Sequence, residues 1–207
     1  MKRTYPLWGT LIACPRQRTW ADRINWSHSQ LSSNQIARAR TPPSNACSKR
    51  EQFRAVPIGF EPEKADLFAH NDLIINASCE RVWTHIIEAS RWPTWYPNSK
   101  DVEIQGGDPV LRDGTEFRWT TFGLAIESKV HEYVLNRRLG WYGYAPGAKP
   151  SFYHSWCLEP EGTMCHVAMD EAGVGKDAAG LRKSDETLMH RGHDLWLATL
   201  KWVAEAK

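Results

Sequence analysis

"FYHSWCLEPEGTMCHVAMDE", residues 152–171, reads as two strands folded back on each other at Glu161-Gly162. Alternation on both sides of a turn glycine is a strong hairpin signal. His154, Trp156 and Leu158 share one face of the first strand, and Tyr153, Ser155 and Cys157 the other. Cys165, Val167, Met169 and Glu171 share a face of the second, against Met164, His166 and Asp170. The simplest register about Glu161-Gly162 sets Trp156 opposite Val167 and His154 opposite Met169. Glu171 then lies diagonally beyond, within reach of the imidazole.

The same period of two extends upstream. "DVEIQ" (101–105), "GTEFRWTTF" (114–122), "LAIESKVHEYV" (124–134) and "RLGWYGY" (138–144) alternate and are separated by turn residues such as Asp113-Gly114 and Pro146-Gly147. With the two strands of the hairpin they make a six-strand antiparallel meander. Further upstream, "NDLIINAS" (71–78) is a β-rich run. After it Ser78 can cap a helix in which Val82, Trp83, Ile86 and Ile87 share a face. "RWPTWYP" (91–97) breaks that helix and opens a second short one at Pro93. Downstream, a glycine-containing stretch (173–180) leads into a long helix with Leu188, Gly192, Leu195, Trp196, Thr199 and Val203 on one side. A curved sheet with one apolar face must be covered, and this helix is the only element large enough. The expected class is α+β: a curved antiparallel seven-strand sheet around a long C-terminal helix, with two short helices after strand 1.

The chain has 207 residues, 42% hydrophobic and 24% charged, and eleven tryptophans. Residues 1–50 hold nine Lys/Arg against one acid, whereas 51–207 hold 17 against 23. The body is thus mildly acidic and carries no nucleic-acid footprint. No apolar run is long enough for an integral membrane segment. Residues 1–64 show no hydrophobic period and are expected to be a disordered basic extension, with 65–207 as the folded domain. A transit peptide, a lipoprotein box at Cys14 and a basic arm for an anionic partner are the alternatives for that tail. Five cysteines without paired spacing predict free thiols, no disulfide in the body and a cytoplasmic setting.

The ordered series "INASCERVWTHIIEASRWPTWYPNSKDVEI", "GTEFRW", "IESKVHEY", "RLGWYG", "YHSWCLEPEGTMCHVAMDE" and "RGHDLWLATLK" resembles the START-like helix-grip superfamily (SRPBCC), in its polyketide cyclase/dehydrase-type branch. The likeness runs over residues 66–207. It implies a cavity for an apolar small molecule between sheet and helix. Members of this superfamily include binding and transport proteins as well as ring-closing or dehydrating enzymes.

The alternation puts Phe117, Trp119, Trp141, His154, Trp156, Met169 and Glu171 on the inner face. Stiff aromatics with a few convergent polar groups are what a small-molecule site uses. Trp83, Leu188 and Trp196 are added as candidates from the covering helices. A hydrophobic small molecule is the expected partner, with His154 and Glu171 as candidate acid–base residues should the protein be an enzyme. A partner-binding module of the same fold is the third class. His190 and His193 form an HxxH pair, read as exposed helix side chains without a third ligand. No zinc or cofactor signature is present, so neither a metal nor a cofactor is expected.

Overall fold

Ser78 begins the first helix, its backbone extended and its hydroxyl accepting the Arg81 N–H at 3.4 Å. The computed structural model describes residues 56–206. Helix α1 (Cys79–Ile87) buries Cys79, Val82, Trp83 and Ile86, the stripe that the helical period demands. A 3₁₀ turn at Ala89–Thr94 follows and drives Trp92 into the core, where its indole N–H donates to the Ile86 carbonyl at 3.0 Å.

Strands β1 (Leu67–Ile75), β2 (Ser99–Ile104), β3 (Glu116–Thr121), β4 (Leu124–Val134), β5 (Arg138–Tyr144), β6 (Phe152–Glu161) and β7 (Met164–Gly173) form one antiparallel sheet in the order β1-β7-β6-β5-β4-β3-β2. The meander from β2 to β7 is as expected, and β1 closes onto β7. Phe122 and Gly123 turn β3 into β4 with positive φ at both positions (50° and 79°), the backbone of a type I′ hairpin.

The β6–β7 turn departs from the expected register. Its loop is Gly162-Thr163, not Glu161-Gly162, and Glu161 pairs with Met164. Partners move by two residues, so His154 faces Glu171 and Trp156 faces Met169. A shift of two preserves which side each residue points to, and the inner face therefore survives the correction.

The C-terminal segment holds two helices. Lys176–Ser184, expected to begin as a loop, forms α2, and α3 runs Leu188–Glu205. Asp185 separates them: its carboxylate accepts the Thr187 N–H at 3.1 Å and pairs with Arg191 at 2.6 Å. The buried stripe of α3 is Met189, Gly192, His193, Trp196, Leu197, Leu200 and Ala204. Leu195, assigned inward from the sequence, is exposed. Leucine at 195 draws the apparent stripe outward, whereas contact with the sheet selects the neighbouring phase.

Two further expectations change. The described part of the segment counted with the extension, residues 56–64, includes Phe60, which is buried on the convex face against Tyr153 and Tyr142. Residues 1–55, where the rest of the proposed extension and Cys14 fall, lie outside the described residues. Cys79 and Cys165 form a disulfide, with Cα atoms 5.0 Å apart, and Cys157 is disulfide-bonded as well. Alternation separated Cys157 from Cys165 correctly, but could not show that the inward Cys165 meets the first residue of α1. The inference from unpaired cysteines to a reducing compartment is thereby removed. Among the described residues, no helix is long and apolar enough to cross a membrane.

Candidate functional site

The concave face of the sheet and α3 enclose a cavity of about 260 Å³. Aromatic rings make up much of its wall: Trp119 from β3, Trp141 from β5, Phe152 from β6, Trp196 from α3, and Tyr96 after the 3₁₀ turn. Tyr96 and Trp196 stack face to face, centroids 4.3 Å apart. Leu188, Met189 and Leu181 close one side, and Phe122 and Leu124 at the β3–β4 turn close another. Gly143 contributes space: a Cβ built there would meet nothing nearer than 3.6 Å.

The imidazole and the carboxylate of the wall lie together at one end, while Thr121 adds a hydroxyl next to the β3–β4 turn. His154 is buried and stacks on Trp141 at 4.5 Å, with Trp196 at 5.3 Å and Trp156 at 5.6 Å. Its Nδ1 lies 3.1 Å from Glu171 Oε2. The same oxygen lies 3.1 Å from Nε2 of His193, which is only 2% exposed. Burial alone would raise the Glu171 carboxyl, but the hydrogen bonds and charges of His154 and His193 outweigh it and hold it at about 2. Burial lowers His154 below its ordinary value of 6.5, against the opposing pull of Glu171. An ionised carboxylate has no proton to give, so both imidazoles must donate to it, His154 through Nδ1–H and His193 through Nε2–H. Their other nitrogens, His154 Nε2 and His193 Nδ1, are both buried with no hydrogen-bond partner among the described residues.

Of the residues singled out from sequence, the cavity brings together Trp119, Trp141, His154, Glu171, Leu188 and Trp196. Trp83, Phe117, Trp156 and Met169 face the same interior but are packed in the core away from the cavity wall. Trp83 instead meets Tyr133 edge to face at 5.3 Å. His193 was misread as exposed; only its HxxH companion His190 is, where Nδ1 meets Asn71 Oδ1 at 3.0 Å. The signal was available: His193 stands i+4 from Met189 and i−4 from Leu197, on the stripe that α3 buries. Phe122 and Leu124 lie in or beside a turn, where no periodicity marks a wall.

Chemically the arrangement offers a largely apolar slot and a histidine–carboxylate pole. The pole holds a fixed anion, two oriented imidazoles and a basic imidazole nitrogen.

Residues 71–191 match the family described as polyketide cyclase / dehydrase and lipid transport. No curated protein matches the chain. Among solved structures, hypothetical protein jhp0584 from Helicobacter pylori superimposes with a TM-score of 0.67 at 29% identity, over 72% of this chain and 95% of that one. Protein NE0264 from Nitrosomonas europaea gives 0.52 at 18% identity, over 67% and 94%. The Zhui aromatase/cyclase from Streptomyces sp. R1128 gives 0.54 at 13% identity, over 67% and 93%; at such identities these two likenesses concern the fold. With the family matched across more than half its length, and a helix-grip sheet around a C-terminal helix to go with it, this chain belongs to the polyketide cyclase / dehydrase and lipid transport family.

Proposed function

We propose that the protein binds a compact hydrophobic or aromatic small molecule in the cavity, with its polar group directed at Glu171 and His154. The observation that carries this reading is the cavity itself, about 260 Å³ walled by Trp119, Trp141 and Trp196 with His154 and Glu171 side by side at one end. That volume sits at the lower edge of the usual roughly 300–1,000 Å³ for ligand pockets, which favours a ligand of few rings over a long acyl chain. Stacking on indoles supplies affinity and the polar pole supplies orientation. Hydroxylated naphthalenes and anthraquinones, added to the purified protein, are expected to quench tryptophan fluorescence saturably. Native mass spectrometry of gently purified protein should show a co-purifying small molecule. Absence of both would sink the reading.

A second reading is favoured by one specific observation, the 3.1 Å contact between His154 and Glu171 at the cavity wall. A neutral imidazole held by a carboxylate is the arrangement of a general base, and His154 Nε2 is the nitrogen without a partner. On this reading the protein is a cyclase or dehydratase of an aromatic or polyketide-like substrate. His154→Gln separates the two. A binder loses only modest affinity, about tenfold for one hydrogen bond. An enzyme keeps its substrate and loses roughly 10²–10⁴ in turnover.

A further inference from the structure

We propose that His154, Glu171 and His193 form a binding site for one divalent transition-metal ion of the zinc class at the polar end of the cavity. The three residues come from three different rigid elements: His154 from β6, Glu171 directly opposite it on β7, and His193 from the first half of α3. One ligand atom from each lies within 4.8 Å of the other two. A tetrahedral ion with bonds of about 2.0–2.1 Å holds its ligand atoms roughly 3.3 Å apart. Both nitrogen–oxygen spacings, at 3.1 Å, already suit that geometry. Only the two nitrogens have to approach one another.

Charge points the same way. Among the described residues no Lys or Arg lines this cavity, and the largely buried Glu171 carboxylate has only the rings of His154 and His193 against it. A buried anion without a counter-charge is costly, and a divalent ion supplies one. The orphaned nitrogens are a second, independent sign. In the hydrogen-bonded triad His154 Nε2 and His193 Nδ1 are buried and have no hydrogen-bond partner among the described residues. Coordination through His154 Nδ1 and His193 Nε2 moves each ring proton to the outer nitrogen. An N–H among indole rings finds a weak acceptor in their π faces; a lone pair there finds none. His154 has three such rings around it.

Two imidazoles and one carboxylate are borderline donors, suited to Zn²⁺, Co²⁺ or Fe²⁺ and poorly suited to Mg²⁺ or Ca²⁺. Three protein ligands with a fourth position open is the pattern of sites that also hold a water or a ligand atom. His154 and Glu171 both line the cavity, so that open position faces its occupant. An ion there would grip a carbonyl or phenolate oxygen. The site itself does not depend on which small molecule the cavity takes.

The test uses the tag-free full chain, stripped with a chelator and titrated with Co²⁺ alone, followed by ligand-field absorption. Displacement by Zn²⁺ is read by native mass spectrometry. One ion per chain is expected. Affinity should fall roughly 10²-fold or more in Glu171→Gln and His193→Gln, and stay unchanged in His190→Gln, with folding of each variant checked by thermal unfolding. Failure of the folded wild-type chain to take up a stoichiometric ion overturns the proposal. So does binding that persists in folded Glu171→Gln and His193→Gln, or that is lost in His190→Gln. Should the site variants fail to fold, ¹⁵N spectra of the wild-type histidine rings decide. Zn²⁺ must then move two buried rings, and a titration that moves none, or His190 alone, refutes the site. Ligand binding is read separately by tryptophan quenching, so loss of one result leaves the other standing.

Discussion

The two ends of the concave face are built from the same strands and yet differ in kind. On β6 the inward residues run Phe152, His154, Trp156, Leu158; the first two line the cavity and the last two are sealed in core. On β7, Glu171 belongs to the cavity end, while Val167 and Cys165 belong to the packed end. What changes along the strands is the cover. At the packed end α1 and the later turns of α3 press Trp83, Ile86, Leu197 and Leu200 onto the sheet, and the Cys79–Cys165 disulfide ties α1 to β7. At the other end the cover is a turn, a short helix and the start of α3, and Gly143 leaves room below them. An identical alternating pattern therefore gives close packing under one cover and a ligand-sized space under another.

The sharpest way to break this contrast is Trp156→Ala. Trp156 is fully buried at the packed end and does not touch the cavity. Its removal should cost about 3–5 kcal/mol in urea-induced unfolding, with probe affinity of the folded protein changed little. A collapse of affinity with stability intact would show that the two ends are not separable.

Loss of the disulfide comes next. Replacing Cys79 and Cys165 together by Ser frees a loop spanning 86 residues, and the expected cost is about 2–5 kcal/mol. Urea midpoints of this double variant and of the wild type, both without reductant, measure it. An unchanged midpoint in the double variant would mean that α1 is held by packing alone.

Acid probes the cavity end. Glu171 titrates at about 2 in the folded chain against an ordinary 4.5. Its contribution is whole above pH 4.5 and is lost as the pH falls towards 2, roughly 3 kcal/mol in all. His154 is depressed below 6.5 by burial, so the unfolded chain takes up that proton first. Stability therefore begins to fall once the pH drops below 6.5. Both groups act in the same direction. Melting temperatures should decline on acidification in wild type and decline less steeply in Glu171→Gln; parallel profiles would remove Glu171 from the account.

The smallest effect on stability is expected from Gly143→Ala. The added methyl meets Phe152 and Ile126 at ordinary contact distances of 3.6 and 3.7 Å. Unfolding should change by no more than about 0.5 kcal/mol, while the affinity for a hydroxylated anthraquinone falls because the methyl occupies cavity volume. Unchanged affinity would place the ligand elsewhere.

Much of this was legible in the residues and some of it was not, for definite reasons. The faces of β3 to β7 could be read because side chains alternate with a period of two, and even the misplaced β6–β7 turn moved partners by two and left the faces intact. The phase of α3 was harder. At 3.6 residues per turn an extra exposed leucine, Leu195, tilts the apparent stripe by one position, and His193 was lost to solvent on that account. Phe122 was beyond reach, because a turn has no period from which to infer a wall.

By itself the sequence determined the meander from β2 to β7, the inward set of aromatics and the long covering helix, since each follows from local alternation and chain connectivity. The tertiary structure alone decided which inward residues meet space and which meet core, that Cys79 reaches Cys165, and that His193 joins His154 on one carboxylate oxygen. Those facts depend on how far one element stands from another across the interior, a distance that no periodicity along the chain encodes.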